Sequence, residues 1–429
     1  MSSYKIKGGK PLNGVIAPGG NKNAALPIIA ASLLTDKKVV LQNVPNILDV
    51  AQQVKILKKL GAAVKRNLKD KTLEIKAEKI KSYKLSKDDV MKTRGSILFL
   101  GALAGRAKKV EIWSPGGCDL GKRPIDSYLA ALQKLHAQIE VEDTCFRVEA
   151  KQIKGDIVWL SEKAVTGTEN VIMAAVLAPG KTEIINAASE PHVQDLCHFL
   201  NKLGAKITGI GSDRLFIEGV DNLGGTEHSI MTDFMEVGTF IAAAAVTRGE
   251  IKIKNAIPQY MTRIMEEFEK LGVKTKVEGD SIIAKGTGNM KIRSYLDGSM
   301  NKLETLPWPA FPADLLQFAI VVATQSQGRI LVHDKLYEGR LFYTTELNKM
   351  GADIFMADPH RIIVTGPTPL RGKVLRSPDI RAGMSLLVAA LAAEGESTIQ
   401  RGEIIERGYE NIQEKFKSLG ASIKRIEDL

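Results

Sequence analysis

The sequence predicts an α/β fold built from six copies of one helix–strand–helix–strand unit, grouped three and three into two domains. Three observations carry this reading. A Leu-Gly-Ala phrase recurs six times, a helix of small apolar residues precedes each phrase, and alternating strand segments follow it.

The phrase appears as Leu60-Gly61-Ala62, Leu135-His136-Ala137, Leu203-Gly204-Ala205, Leu271-Gly272-Val273, Met350-Gly351-Ala352 and Leu419-Gly420-Ala421. Its second positions are 75, 68, 68, 79 and 69 residues apart. A fixed period of this size marks a repeat architecture. Each phrase closes an amphipathic stretch such as Val54-Lys-Ile-Leu-Lys-Lys-Leu60. Glycine just past the last periodic residue is a helix-stop signal, because it adopts the left-handed conformation without steric cost.

The preceding helices are expected at 23–34, 94–105, 168–178, 236–247, 314–324 and 381–393. They are rich in Ala, Ile, Leu and Val nearly all round, which is the pattern of a buried helix. Strand pairs are expected after the phrases, as at 137–142 and 146–150. The sixth copy runs out after one strand, and residues 4–17 read as strand ahead of the first copy. That segment is available to complete copy six. The chain would then start in the second domain, build the first, and return. Residues 22–232 would form the first three-unit domain, with 1–21 and 233–429 forming the second.

Composition narrows the function. A chain of 429 residues exceeds one ordinary core. The longest apolar runs fall short of the ~18 residues of a membrane span. No apolar signal core opens the chain, so the expected compartment is the cytoplasm and no membrane partner is expected. Cys118, Cys145 and Cys197 are too scattered for a disulfide framework or a zinc site. The net charge of +11 suits an anionic ligand. Nucleic acid is not expected, because only 5% of residues are aromatic and no basic run is dense.

Polar residues gather where helices begin. Lys22-Asn23 opens the first buried helix, Arg94 the second, and Lys163 to Gly167 the third. Asp314 opens the fifth and Asp379-Ile-Arg381 the sixth; Cys118 to Asp126, Arg340, and Arg407-Gly-Tyr-Glu410 stand where outer helices start. Helix N-termini favour anions through free N–H groups and the helix dipole. Cations placed there oppose the dipole, a penalty that a bound anion reverses. Asp314 and Asp379 also read simply as N-caps.

The segment Ser114-Pro-Gly-Gly-Cys-Asp-Leu-Gly-Lys-Arg-Pro-Ile-Asp126 reads as a mobile loop carrying a thiol beside Lys122 and Arg123. Nearby cations make a thiol more acidic and more reactive, whereas Cys145 and Cys197 read as small buried hydrophobes. No phosphate-binding P-loop, dinucleotide fingerprint, serine-hydrolase elbow or zinc-protease motif is present.

Four stretches then resemble the enolpyruvyl transferases: Asn21-Lys-Asn-Ala-Ala-Leu-Pro27, Pro115-Gly-Gly-Cys-Asp-Leu-Gly-Lys-Arg-Pro124, Phe311-Pro-Ala-Asp314 and Glu406-Arg-Gly-Tyr-Glu410. The likeness runs from about residue 4 to the C-terminus and is nearest to the branch acting on UDP-N-acetylglucosamine. It implies two inside-out, barrel-like α/β domains of three units each, with the active site between them. It implies transfer of the enolpyruvyl group of phosphoenolpyruvate to the sugar 3′-hydroxyl with release of phosphate, the first committed step of peptidoglycan synthesis. No metal or organic cofactor is implied.

The resemblance also implies roles. Lys22, Arg123 and Arg407 would hold the phosphate and carboxylate of phosphoenolpyruvate. Cys118 would protonate its C3 methylene, and would be the residue alkylated by fosfomycin. Asp314 would take the proton from the 3′-hydroxyl. Asn23, Arg94, Arg123, Pro124, Ile125, Asp126, Ser127, Lys163, Ala164, Val165, Thr166 and Leu336 would contact the UDP-sugar. Arg340 and Arg381 would support closure and charge balance around the substrates. Trp308, where many relatives carry histidine, and Val165-Thr-Gly-Thr-Glu-Asn170 depart from the commonest family pattern. Two alternatives stand beside this reading: the shikimate-pathway relative, which lacks the cysteine loop, and a non-catalytic UDP-sugar-binding paralogue. The sequence is silent on oligomeric state.

Overall fold

The computed structural model describes residues 2–116 and 124–427. The described residues divide into two compact units. The first comprises residues 20–116 and 124–231, and the second residues 2–19 and 232–427.

Each unit contains three small sheets with one recurring strand pattern. In the first unit, Thr226–Ser229 runs parallel to Lys38–Gln42, which pairs antiparallel with Thr72–Lys76, itself paired with Ala63–Asn67. Ile157–Trp159, Lys181–Ile185, Arg214–Glu218 and Lys206–Thr208 repeat this order. The sheet of Lys109–Trp113, Cys145–Glu149 and Gln138–Glu142 has three strands, and a single parallel bridge from Lys84 to Glu111 stands where the fourth would lie. In the second unit the full pattern occurs three times.

The N-terminal segment is divided differently from the expectation. Ser2–Lys7 lies between Glu396–Gln400 and Ser422–Glu427 and completes the sixth sheet. Asn13–Ile16 instead pairs parallel with Glu250–Ile253 in the fourth sheet. Three of the four-stranded sheets take their parallel outer strand from the segment just ahead of their own buried helix, whereas Asn13–Ile16 and Thr226–Ser229 are exchanged, the former serving the fourth sheet and the latter the first. Gly8 and Gly9 stand at the switch, where the Gly9 N–H donates to the Leu391 carbonyl at 3.0 Å.

Helices fill the inside of each unit. All thirteen residues of Phe234–Val246 are buried, and this helix packs on Ala313–Thr324 and Ile380–Ala392. Such helices carry Ala and Leu all round because water reaches no face of them. In the first unit, Phe99–Arg106 meets Val165–Ala175 so closely that a Cβ on Gly101 would lie 2.7 Å from Asn170 Cα. The Leu-Gly-Ala phrases end the outer helices as expected: Gly61, Gly204, Gly272, Gly351 and Gly420 all have left-handed φ, from 88° to 106°. His136 takes the same conformation with φ 66°, and its Nε2 pairs with Asp156 at 3.0 Å. No helix among the described residues is long and apolar enough to cross a membrane.

Candidate active site

In the first unit, the Asn21 side chain caps the helix Lys22–Ala31 by accepting from the Ala24 N–H at 2.9 Å. Capping fixes the first turn and therefore the start of the Lys22 side chain. Lys22 Nζ meets Asp49 Oδ2 at 2.8 Å, with only 12% and 5% of the two side chains exposed. Asn23 follows on the same turn, partly buried. Arg94, also partly buried, opens a short 3-10 stretch, Arg94–Leu98, capped by the Thr93 hydroxyl. Gln53 donates to the Gly95 carbonyl at 2.7 Å, and a Cβ on Gly95 would lie 2.9 Å from Leu26 Cδ1. The starts of the first two buried helices therefore adjoin.

Two more predicted segments adjoin in this unit. Ser127 Oγ donates to Glu162 Oε1 at 2.9 Å, placing the stretch from Pro124 beside that leading to Lys163. A Cβ on Gly167 would lie 2.8 Å from Tyr128. Pro124 and Asp126 are exposed and Ile125 is buried ahead of the helix Asp126–Lys134. Ala164 begins Val165–Ala175 with no side-chain cap. Its first-turn N–H groups thus lack the side-chain acceptor that usually occupies such an end. The Asn170 amide donates to the Thr166 carbonyl at 2.8 Å. Lys163 is 3.8 Å from Asp213.

The second unit gathers its residues more tightly. Asp314 lies in the first turn of Ala313–Thr324. Its Oδ1 is 3.2 Å from Arg340 Nη1 and its Oδ2 is 3.2 Å from Arg381 Nε. Asp379 caps Ile380–Ala392 by accepting from the Arg381 and Ala382 N–H groups at 2.8 and 3.0 Å. The two arginines also lie over aromatic rings, Arg340 over Tyr337 at 4.2 Å and Arg381 over Tyr409 at 5.1 Å. Burial works against both guanidinium charges, yet the neighbouring Tyr409, Asp314 and Asp233 hold Arg381 firmly protonated, and Asp314, Tyr337, Asp334 and Asp379 do the same for Arg340. Burial pushes the Tyr409 hydroxyl up to about 12, against the pull of Arg381.

Arg407 is partly buried in the turn after Gly402–Ile405. A Cβ on its neighbour Gly408 would lie 2.5 Å from Ile380 Cγ2, which brings the Arg-Gly-Tyr-Glu turn against the helix bearing Arg381. Leu336 is 42% exposed, and its N–H donates to Asp334 Oδ1 at 3.0 Å. Cys118 and Arg123 lie outside the described residues.

The expectation that cations at helix starts await an anion is modified by these contacts. Lys22, Arg340 and Arg381 each already face a carboxylate of the chain. Three of the acidic residues involved, Asp49, Asp233 and Asp334, had not been singled out. Asp233 had a legible signal, since Asp233-Phe-Met-Glu236 has the spacing of a capping box; its carboxylate accepts from the Met235 N–H at 2.9 Å. Trp308 packs beside Phe234 and Tyr260, with ring centroids 6.0 and 6.3 Å apart.

Solved structures share this architecture over the full chain. The enolpyruvyl transferase NikO from Streptomyces tendae superposes with a TM-score of 0.89 at 21% identity, covering 100% of this chain and 99% of its own. EPSP synthase from Acinetobacter baumannii gives 0.74 at 17% identity, with both chains fully covered. The fold is therefore the mixed α/β fold of the enolpyruvyl transferases. The family model of EPSP synthase (3-phosphoshikimate 1-carboxyvinyltransferase) matches residues 6–416, and the chain belongs to this family. Curated relatives aligned along the whole chain carry another name within it. Proteins of Treponema denticola and Borreliella burgdorferi, each 45% identical over 427 residues with 100% of both chains covered, are named UDP-N-acetylglucosamine 1-carboxyvinyltransferase. So is one of Bradyrhizobium diazoefficiens, 46% identical over 425 residues, covering 99% of this chain and 98% of its own.

Proposed function

We propose that this chain transfers the 1-carboxyvinyl group of phosphoenolpyruvate to the 3′-hydroxyl of UDP-N-acetylglucosamine and releases phosphate, the first committed step of peptidoglycan synthesis in the cytoplasm. The observation that carries the proposal is the end-to-end identity of 45% with relatives bearing that name. The cysteine loop Pro115 to Pro124 supports the same branch over the shikimate one. In this reading residues 22–232 form one inside-out barrel of three units, and residues 1–21 with 233–429 form the other. The recurring parallel–antiparallel–antiparallel sheets and the buried helices support that arrangement.

The side chains suit the chemistry. The Cys118 thiol donates a proton to C3 of phosphoenolpyruvate, and positive character develops at C2. The sugar 3′-oxygen forms a bond to C2, and its proton passes to Asp314. Return of a proton from C3 to the Cys118 thiolate then restores the double bond as the C2–O bond to phosphate breaks, and the proton held by Asp314 leaves with the phosphate. Atoms and charge balance on side chains and substrates alone. Lys22, Arg123 and Arg407 hold the phosphate and carboxylate, each charge-assisted contact being worth ~1.5–3 kcal/mol. Asn23, Arg94, Arg123, Pro124, Ile125, Asp126, Ser127, Lys163, Ala164, Val165, Thr166 and Leu336 bind the UDP-sugar. Arg340 and Arg381 orient the two oxygens of Asp314 for that transfer.

Phosphate release is the direct test. It should require both phosphoenolpyruvate and UDP-N-acetylglucosamine, and shikimate 3-phosphate should not replace the sugar. No release from pure folded protein overturns the proposal. Nucleotide binding without turnover points to the non-catalytic alternative. Fosfomycin should inactivate the enzyme through one adduct on Cys118, seen by mass spectrometry; an adduct on Cys145 or Cys197 alone with activity intact removes Cys118 from its role.

A further inference from the structure

The buried carboxylate Asp334 has no part in the roles assigned above, yet it touches two residues that do. It closes the strand Gly328–Asp334, and none of it is exposed. Its Oδ1 accepts from the Thr305 hydroxyl at 2.7 Å and from the Leu336 N–H at 3.0 Å. Its Oδ2 faces Arg340 Nε at 3.3 Å as a buried ion pair without hydrogen-bond alignment. The His360 ring lies 2.8 Å from its backbone carbonyl. Arg340 uses its other edge elsewhere: Nη1 reaches Asp314 Oδ1 and the Ala313 carbonyl, each at 3.2 Å. One guanidinium thus spans two carboxylates, one wholly buried and one at 29% exposure.

We infer that Asp334 is a positioning residue for the transfer reaction: it anchors the Nε edge of Arg340 so that the Nη1 edge meets Asp314, and the same carboxylate fixes the backbone at Leu336. The inference rests on the assignment of Asp314 as proton acceptor and Leu336 as sugar contact. Its physical basis is the fixed fork of a guanidinium. A guanidinium is rigid and planar, so a charge pair at Nε limits where the Nη1 edge points. Arg381 approaches the opposite oxygen of Asp314 at 3.2 Å, so both oxygens are held by cations of fixed orientation. Asp314 and Asp334 each pair with a buried guanidinium in this network. Removing either charge leaves a buried ion short of its partner, which is costly where water cannot replace it. Thr305 is the outer tie, because its hydroxyl selects one orientation of the Asp334 carboxylate.

The experiment compares Asp334→Asn, Asp334→Glu and Thr305→Val with the wild-type chain in the phosphate-release assay. A small misplacement of a group bearing on the reacting atoms costs about 100-fold in rate. Asp334→Asn should therefore lower kcat by that order while raising KM for UDP-N-acetylglucosamine only a few-fold. Thr305→Val, which keeps both charges, should lower kcat by about three- to ten-fold, and Asp334→Glu should recover part of the loss. A merely structural role would reduce the amount of folded enzyme and leave kcat per folded molecule unchanged in all three. That result overturns the inference.

A second measurement does not depend on turnover. The Arg340 Nε–H resonance, assigned in the wild type by its loss in Arg340→Lys, should be sharp and slow to exchange. It should broaden or move in Asp334→Asn and shift modestly in Thr305→Val. An unchanged resonance in Asp334→Asn also overturns the inference. If the wild-type chain shows no transfer while the resonance behaves as stated, the functional reading fails and the anchoring of Arg340 stands.

Discussion

Lys163 in the first unit faces Asp213 across 3.8 Å, with 28% and 61% of the side chains exposed. Arg340 and Arg381 in the second unit share Asp314 with only 1% and 7% of their side chains exposed. The same repeated unit has thus produced two kinds of charged helix start. An exposed pair is weakened by water and by salt, and contributes little to stability. It leaves the cation available to a ligand at little cost. A buried network binds its members to one geometry, because moving one group strands another. Under the proposed function, Lys163 of the first kind would capture ligand, and Arg340 and Arg381 of the second would orient the reacting groups.

The largest expected effect tests the second kind. Asp314→Ala leaves two buried guanidiniums without their shared partner. It should lower unfolding stability by about 3–5 kcal/mol, the usual consequence of breaking a buried pair. If Asp314 is the proton acceptor as proposed, it should also reduce turnover by at least ~1000-fold, since the acceptor and the orienting carboxylate are lost together. Urea unfolding and phosphate release read the two effects. Wild-type stability in this variant breaks the comparison.

Arg407→Ala comes next. Arg407 is partly buried in a tight turn against Ile380, so it falls between the two kinds. Removing it should raise KM for phosphoenolpyruvate by ~10- to 100-fold, the worth of one charge-assisted contact, and change nucleotide affinity less. The reverse order in isothermal titration would undo its role.

Lys163→Ala sharpens the first kind. Its stability change should stay within ~0.5 kcal/mol, as for exposed substitutions, while KM for UDP-N-acetylglucosamine rises about ten-fold, or ~1.4 kcal/mol. A loss of stability without a change in KM would move Lys163 to the structural side of the comparison.

How much of this was legible varies with the range of the interaction. The buried helices and the Leu-Gly-Ala stops follow from local periodicity and backbone conformation, so residues such as Gly61 and Val237 announce them. The placement of Asn13–Ile16 beside Glu250–Ile253 does not follow from local pattern, because strand partners hundreds of residues apart are chosen by topology. The cations at helix starts were visible, and so was Asp314, but Asp49 and Asp334 were not. Asp334 ends an apolar alternating strand, and its ties to Thr305 and Arg340 exist only once Asn301–Thr305 pairs beside that strand and Arg340 folds back onto it. Asp49 is likewise an ordinary first-turn acid until Lys22 reaches it.

Asp233 supplies an effect that only pH reveals and shows the cost of a buried carboxylate that is only partly compensated. It caps Phe234–Val246, accepting from the Met235 and Glu236 N–H groups at 2.9 and 3.4 Å. Burial raises its pKa from 3.8 to about 6; Arg381 opposes the rise and Glu236 adds to it. The folded state therefore holds this proton more tightly than the unfolded chain. The resulting stabilisation is fully present below the unfolded pKa near 4 and is lost as pH rises through about 6. Asn at this position keeps an oxygen for the cap and carries no charge, and Asn ranks with Asp as an N-cap. Asp233→Asn should thus match the wild type near pH 4 and become the more stable of the two above pH 6, by about 2–3 kcal/mol. Thermal and urea unfolding across pH 4–8 read the difference. A difference that stays constant over that range would show that Arg381 compensates the Asp233 charge in full, and would place Asp233 inside the same tightly paired network as Asp314.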